Sequence, residues 1–184
     1  MTLHEEVIQL AAQVPTPPGE PLPPGLPDAA IDGFTQRTGL SIPPELREWL
    51  QFTNGPCIGL GGIYGIRPKR KHLDMEAVYA YLPEFRRNNW LPLGTDGCGD
   101  YYVLALASEP APLRPVYFID PHQEGEYHVP TYAVASGLWL FPRFLFREEL
   151  GERTWPFESQ SVLMSDPLLA QVRGAPLPWE ADAK

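Results

Sequence analysis

The chain has 184 residues, a length typical of one domain, with 43% hydrophobic and 20% charged residues. This composition excludes disorder for most of the chain, and no apolar run approaches the roughly 20 residues of a membrane span. The net charge of -9 opposes binding to nucleic-acid phosphates. It favours a basic protein partner, although it also serves solubility.

Cysteine use indicates the compartment. Cys57 and Cys98 form no CxxC pair, which is typical of free thiols in a reducing environment. The first residues, MTLHEEVIQLAAQV, place acidic residues before the apolar stretch, unlike a secretory signal peptide. The sequence therefore predicts a cytoplasmic protein.

The chain opens with a helix and a proline-rich connector. Thr2 and Glu5 have the spacing of a capping box, which predicts an amphipathic helix over 2–14. The segment PTPPGEPLPPGLP (15–27) excludes helix and central strand, because proline lacks the amide proton and fixes φ. It predicts an extended connector, and such a stretch can also be a ligand for an aromatic groove.

Three further helices are predicted before the central strands. Asp28 is the expected cap of a helix that ends at Gly39. LSIPPELREWLQFTNG (40–55) predicts the next helix, with prolines in its first turn. IGLGGIYGI (58–66) predicts a strand and a turn, and Asp74 begins a helix that a later proline ends or kinks.

Strands and helices mix in the later part of the chain. PVYFID (115–120) and TYAVA (131–135) predict strands. SGLWLFPRFLFREEL (136–150) predicts a helix from about residue 141, with Pro142 either kinking it or starting it. Asp166 and the proline after it predict one short last helix. Because no βαβ alternation occurs, we expect an α+β fold with a largely antiparallel or mixed sheet.

The segment WLPLGTDGCGDYYVLAL (90–106) is the most suggestive of chemistry. Cys98 lies among aspartates, whose charge disfavours a thiolate nucleophile. Asp96 and Asp100 could form an acid–base pair, but aspartate and glycine are also the residues that tight turns use. We interpret DGCGD as a turn in which both aspartates cap backbone amides.

Metal and cofactor sites are not predicted. His122 and His128 share the acidic loop DPHQEGEYH (120–128), which could chelate a metal but is more typical of a solvated loop. The sequence contains no phosphate-binding loop and no GxSxG motif.

Three segments in this order resemble the SUKH superfamily of fungal glucan-synthesis regulators and bacterial immunity proteins. Residues 40–55 resemble its LP-helix-NG signature, and 90–106 its W-x-P-[IL]-G-x-D-G-x-G-D motif. PVYFID and YAVASGLWLFPRFLF (132–146) resemble a later strand and a serine-led helix, so the similarity covers roughly 22–150. The matching positions are Pro43, Trp49, Asn54, Gly55, Trp90, Gly94, Asp96, Gly97, Gly99 and Asp100.

The resemblance implies a fold and a function class. It implies a mixed sheet of about six strands with helices packed on one side. The SUKH-like domain would span 1–150, and 151–184 would be a proline-rich extension with one short helix. Family members are generally not enzymes; bacterial ones bind and neutralise toxins, and fungal ones act in cell-wall assembly. Ala105 departs from the aspartate that many relatives carry there.

The leading hypothesis is a non-enzymatic immunity protein that occludes a basic toxin domain, with no cofactor. The alternatives are a cell-wall regulator or scaffold, and a hydrolase that uses Asp96 and Asp100. The sequence leaves the oligomeric state open. We expect the partner-binding residues on the acidic loop and on one strand: Asp120, His122, Glu124, Glu126 and Tyr101.

Overall fold

The structure is a computed structural model that describes residues 1–18, 20–107, 113–122, 127 and 129–181. In these ranges eight α-helices and six β-strands occur. They are α1 (Leu3–Ala11), α2 (Asp28–Thr38), α3 (Pro44–Phe52), β1 (Cys57–Ile58), β2 (Gly61–Ile63), α4 (Met75–Tyr81), α5 (Pro83–Arg87), β3 (Trp90–Thr95), β4 (Tyr101–Ala105), β5 (Val116–Ile119), β6 (Tyr132–Ala135), α6 (Leu140–Glu149), α7 (Ser159–Ser165) and α8 (Pro178–Ala181). Short 3-10 helices cover Lys71–Leu73 and Pro167–Gln171.

The first helix begins with the predicted capping box. Thr2 Oγ1 accepts a hydrogen bond from the Glu5 amide, and the Glu5 carboxylate accepts one from the Thr2 amide. α1 packs against α6, and Glu6 of α1 binds two arginines of that helix. Its Oε1 lies 2.9 Å from Arg143 Nε and 2.5 Å from Arg147 Nη2. These contacts fix the N-terminus to the helical layer.

The described part of the proline-rich connector forms neither helix nor strand, as predicted, and is held along α3. The Leu26 amide donates to the Leu50 carbonyl at 2.8 Å. The Thr53 hydroxyl donates to the Pro23 carbonyl at 2.8 Å. The connector therefore satisfies the last turn of α3, whose final carbonyls have no partner within the helix.

The strands form one open sheet in the order β1-β2-β3-β4-β5-β6, and each described neighbour pair is antiparallel. The predicted α+β class and the number of strands are confirmed. The expectation of a mixed sheet is met only by an isolated parallel bridge between Gly65 and Asp74, outside the six strands. Short connections such as DGCGD join neighbouring strands antiparallel, whereas parallel pairing needs a long crossover.

Helices cover both faces of the sheet, which corrects the prediction that they pack on one side. Successive strand residues point to opposite faces. The Tyr101 ring lies 5.7 Å from Phe85 of α5, and the Tyr102 ring lies 4.7 Å from Phe141 of α6. β3 and β4 are apolar on both faces, so each face has to be removed from water.

The segment after residue 150 contains three helical segments rather than the predicted one. It also packs into the core. The Trp155 indole donates to the Val134 carbonyl at 3.0 Å. The Ala133 amide, on the outer edge of β6, donates to the Pro176 carbonyl at 2.9 Å, which covers that edge of the sheet. The sequence did not predict α7, because no side chain caps its first turn.

Candidate functional site

The motif residues around α3 have structural roles. Pro43 is the residue that caps α3, and Trp49 is fully buried. The Asn54 side chain accepts from the Ile66 amide at 2.8 Å and donates to the Ile66 carbonyl at 3.2 Å. Gly55 has φ +74, and a Cβ there would lie 2.8 Å from the Gly65 amide nitrogen. This part of the motif fixes the chain after α3, and the Trp49 indole N–H is buried without a hydrogen-bond partner among the described residues.

Two motif residues of β3 are also structural. The Trp90 ring is buried, 6.3 Å from Phe85 and 6.0 Å from Tyr117. Gly94 lies against β2, where a Cβ would lie 2.7 Å from the Gly62 carbonyl oxygen. Trp90 anchors the face covered by α5, and Gly94 allows β2 and β3 to approach.

DGCGD (96–100) is the turn of the β3–β4 hairpin. Asp96 Oδ1 accepts from the Cys98 amide at 2.8 Å and from the Asp100 amide at 3.2 Å, so it caps the turn as predicted. Gly97 has φ +85, and a Cβ there would lie 2.2 Å from the Leu60 carbonyl oxygen. Glycine is therefore required both by the turn and by the close β1–β2 connection.

Asp100 does not cap the turn among the described residues. Its Oδ1 is buried without a hydrogen-bond partner in that part of the chain. Burial, followed by the charges of Asp96 and Asp120, raises the pKa of Asp100 to about 6. At neutral pH this carboxylate is therefore mostly ionised, although its burial and the two neighbouring carboxylates disfavour the negative charge.

The acidic loop begins beside the hairpin turn, at the same end of the sheet. Tyr101 pairs with Ile119 across β4 and β5, so the turn before Tyr101 and the loop after Ile119 meet at one edge. The His122 amide donates to Asp120 Oδ1 at 2.8 Å, and a Cβ at Gly99 would lie 3.2 Å from His122 Nε2. We call the surface formed by Asp96, Asp100, Asp120 and His122 the hairpin end.

Some predicted residues cannot be placed at the hairpin end. Glu124 and Glu126 lie outside the described residues, and so does His128, so the two histidines of the acidic loop are not placed together either. In the part of the chain that is described, no group of three or more His, Cys, Asp or Glu side chains is placed to hold a metal ion.

A groove of about 380 Å³ opens beside the hairpin end, on the face covered by α4. Leu60, Tyr64, His72, Thr95 and Tyr101 contribute to its lining. Burial raises the pKa of Tyr64, whose hydroxyl bonds to Thr95. Leu60 is 87% exposed at the tip of the β1–β2 turn. An apolar groove beside ionised carboxylates is suited to hold an apolar side chain from a cationic protein surface.

Sequence reasoning missed two contributors to this surface. The segment 58–66 predicts a strand and a turn without assigning Leu60 a role, although a leucine between glycines in a turn indicates exposure. Glu149, at the end of α6, lies beside the same turn, since a Cβ at Gly59 would be 2.4 Å from its Oε1. No local sequence signal connects α6 with the β1–β2 turn.

Comparisons with known proteins agree with this architecture. The sequence profile of the SMI1 / KNR4 family (SUKH-1) matches residues 25–138, more than half of the chain. The match runs from just before α2 to just after β6 and includes the hairpin end. A search of curated proteins returned no match. No helix within the described ranges is long and apolar enough to cross a membrane. By the extent of the profile match, the chain belongs to the SMI1 / KNR4 family (SUKH-1).

Proposed function

We propose that this protein is a cytoplasmic immunity protein that binds a basic toxin domain and neutralises it by occlusion. Family membership supports a protein-interaction domain, a class whose members are generally non-catalytic. The hairpin end is the surface we assign to the toxin.

One observation carries the assignment to the hairpin end. Asp96, Asp100 and Asp120 converge there, and none of them has a Lys or Arg ion pair among the described residues. Elsewhere, carboxylates such as Glu6 are bound by arginine. Carboxylates that repel one another are relieved when a cationic partner approaches, so this surface favours a basic protein.

The groove supports the same assignment. Interfaces combine an apolar centre with a polar rim, and electrostatic complementarity increases the association rate. The exposed Leu60 and the groove wall supply apolar area, while the three aspartates supply the rim. A toxin that presents a basic ridge with one apolar side chain fits both parts.

The test is to examine the neighbouring reading frame for a toxin domain and to co-express that domain with this protein; the absence of such a frame would count against the immunity function. We expect growth rescue and co-purification of a stoichiometric complex. A variant with Asp96→Asn, Asp100→Asn and Asp120→Asn keeps the acceptor oxygens of the turn but removes three charges. We expect its affinity to fall by about tenfold or more, mainly through slower association at low salt.

The matched control changes charge by the same amount at exposed positions away from the hairpin end: Glu48→Gln, Glu152→Gln and Glu180→Gln. It should bind the toxin almost as the unmodified protein does. Equal weakening by both triple variants would show that net charge acts rather than the hairpin end. Failure to bind or rescue would reject the immunity function, and an altered wall composition in a deletion strain would then support the cell-wall role.

A hydrolase is a further candidate after the cell-wall role, because a carboxyl with a pKa of about 6 suits general acid–base chemistry. The two functions differ in stoichiometry. An occluding protein neutralises the toxin only at ratios of about one to one, whereas an enzyme neutralises it at far lower ratios. Titrating the protein against the toxin distinguishes them, and Asp100→Asn should abolish substoichiometric neutralisation if Asp100 is catalytic.

A further inference from the structure

Four aromatic rings form a row that runs from the core to the surface. Tyr102 lies 5.3 Å from Phe118, and Phe118 lies 5.0 Å from Tyr132, with the last two rings only 14° from parallel. Phe157 follows at 5.8 Å from Tyr132, nearly edge-on at 69°. We call Phe118, Tyr132 and Phe157 the aromatic shelf.

Strand pairing places these rings side by side. Tyr102 pairs with Phe118 across β4 and β5, and Phe118 pairs with Tyr132 across β5 and β6. Tyr102 is 8% exposed and packs against α6, whereas Phe157 is 53% exposed. The row is therefore anchored at one end and open to solvent at the other.

A carboxylate lies beside the aromatic shelf itself. Asp120 follows Phe118 by two positions, so both lie on the same side of β5 where the strand ends. The Asp120 amide donates to the hydroxyl of Thr131, the residue before Tyr132, at 2.8 Å. The aromatic shelf therefore borders the hairpin end, on the sheet face opposite the groove.

We propose that the aromatic shelf binds arginine side chains of a basic protein partner. A guanidinium group is planar and weakly hydrated, so it stacks on aromatic faces while it pairs with a nearby carboxylate. An ammonium group gains less from such a surface because it is compact and strongly hydrated. We take the partner to be the toxin domain of the proposed function, so this inference rests on that function.

The test uses two peptides of equal charge and length, acetyl-(Gly-Arg)4-amide and acetyl-(Gly-Lys)4-amide, with affinities measured in 150 mM NaCl. We expect the arginine peptide to bind about fivefold more tightly. Phe157→Leu keeps the apolar side chain but removes the ring, so it should reduce that ratio to about one. The affinity for the lysine peptide should stay unchanged.

Tyr81→Leu is the matched control, because Tyr81 is 74% exposed and lies at the end of α4, which covers the opposite face of the sheet. It should leave the arginine preference unchanged. A second readout uses the unmodified protein: addition of the arginine peptide should shift the ring protons of Phe118, Tyr132 and Phe157, and not those of Tyr81.

Two results would overturn the proposal. One is equal affinity for both peptides in the unmodified protein. The other is an arginine preference that Tyr81→Leu removes and Phe157→Leu does not. Toxin rescue is measured separately, so rescue without an arginine preference rejects only the shelf, and an arginine preference without rescue rejects only the immunity function.

Discussion

Carboxylates in the helical layer and at the hairpin end have opposite surroundings. In the helical layer, Glu6 binds Arg143 and Arg147, and its side chain is only 18% exposed. At the hairpin end, Asp96 and Asp100 adjoin each other without a described Lys or Arg ion pair. A carboxylate therefore stabilises the helical layer but destabilises the hairpin end. This difference indicates that the hairpin end is arranged for binding rather than for stability.

The two regions should respond oppositely to pH. Burial raises the pKa of Glu6, but Arg143 and Arg147 lower it by more, so its net pKa is depressed. Its contribution to stability is present above its unfolded pKa and is lost as pH falls through the folded value. The pKa of Asp100 is raised to about 6, so its contribution is present below its unfolded pKa of 3.8 and is lost as pH rises through about 6.

The largest loss of stability is expected on substitution of Asp166, a carboxylate that is only 1% exposed. It accepts from the Ser136 amide at 2.7 Å and from the Ser136 hydroxyl at 2.6 Å. Asp166→Ala leaves two buried donors without a partner and should lower the free energy of unfolding by about 3 kcal/mol. Urea denaturation measures this change. Ser136→Ala, which removes only the hydroxyl, should cost about 1 kcal/mol, and a similar cost for both variants would contradict the pairing.

The second-largest loss of stability is expected on substitution of Glu6. Glu6→Gln removes the charge that compensates two partly buried arginines and should lower the free energy of unfolding by about 2 kcal/mol at pH 7. The loss should shrink as pH falls through the folded pKa of Glu6, because the unmodified carboxyl is then protonated too. Thermal unfolding at several pH values measures it. Glu48→Gln, at an exposed position of α3, is the control and should change little.

Local sequence signals predicted much of the fold. The capping box at Thr2, the end of α2 at Gly39 and the hairpin turn at Asp96 each depend on neighbouring residues, so a short segment suffices to predict them. The predicted cap of α2 was wrong, because Pro27 occupies the cap position and Asp28 is the first helical residue. The packing of helices on both sheet faces was not predicted, because Phe85 meets Tyr101 through tertiary structure alone. The same holds for the cover that Pro176 places over β6.

The candidate site was predicted in separate pieces. The sequence indicated a structural turn at Asp96 and Asp100 and a partner-binding loop beginning at Asp120. Only the antiparallel pairing of Tyr101 with Ile119 brings the two together. The register of that pairing, and hence the charge repulsion on Asp100, depends on the whole sheet and could not be read from either segment.

A gain in stability is expected from Asp100→Asn. Neutralising this carboxylate removes its repulsion by Asp96 and Asp120, so unfolding at pH 7.5 should cost about 1 kcal/mol more after allowance for solvent screening. The gain should disappear below about pH 4, where both forms are uncharged. Toxin affinity should fall at the same time. Lower stability at pH 7.5 would contradict the contrast between the two regions.

The smallest effect is expected from Cys98→Ser. The Cys98 side chain is exposed, and it is the backbone amide of this residue, not its thiol, that Asp96 holds. Serine preserves that amide, so stability should stay within about 0.5 kcal/mol and toxin affinity within about twofold. Denaturation and binding assays on Cys57→Ser and Cys98→Ser, singly and together, measure both quantities. A loss of neutralisation confined to Cys98→Ser, with the fold retained, would show that the hairpin end acts through its thiol and not through the charge of its aspartates.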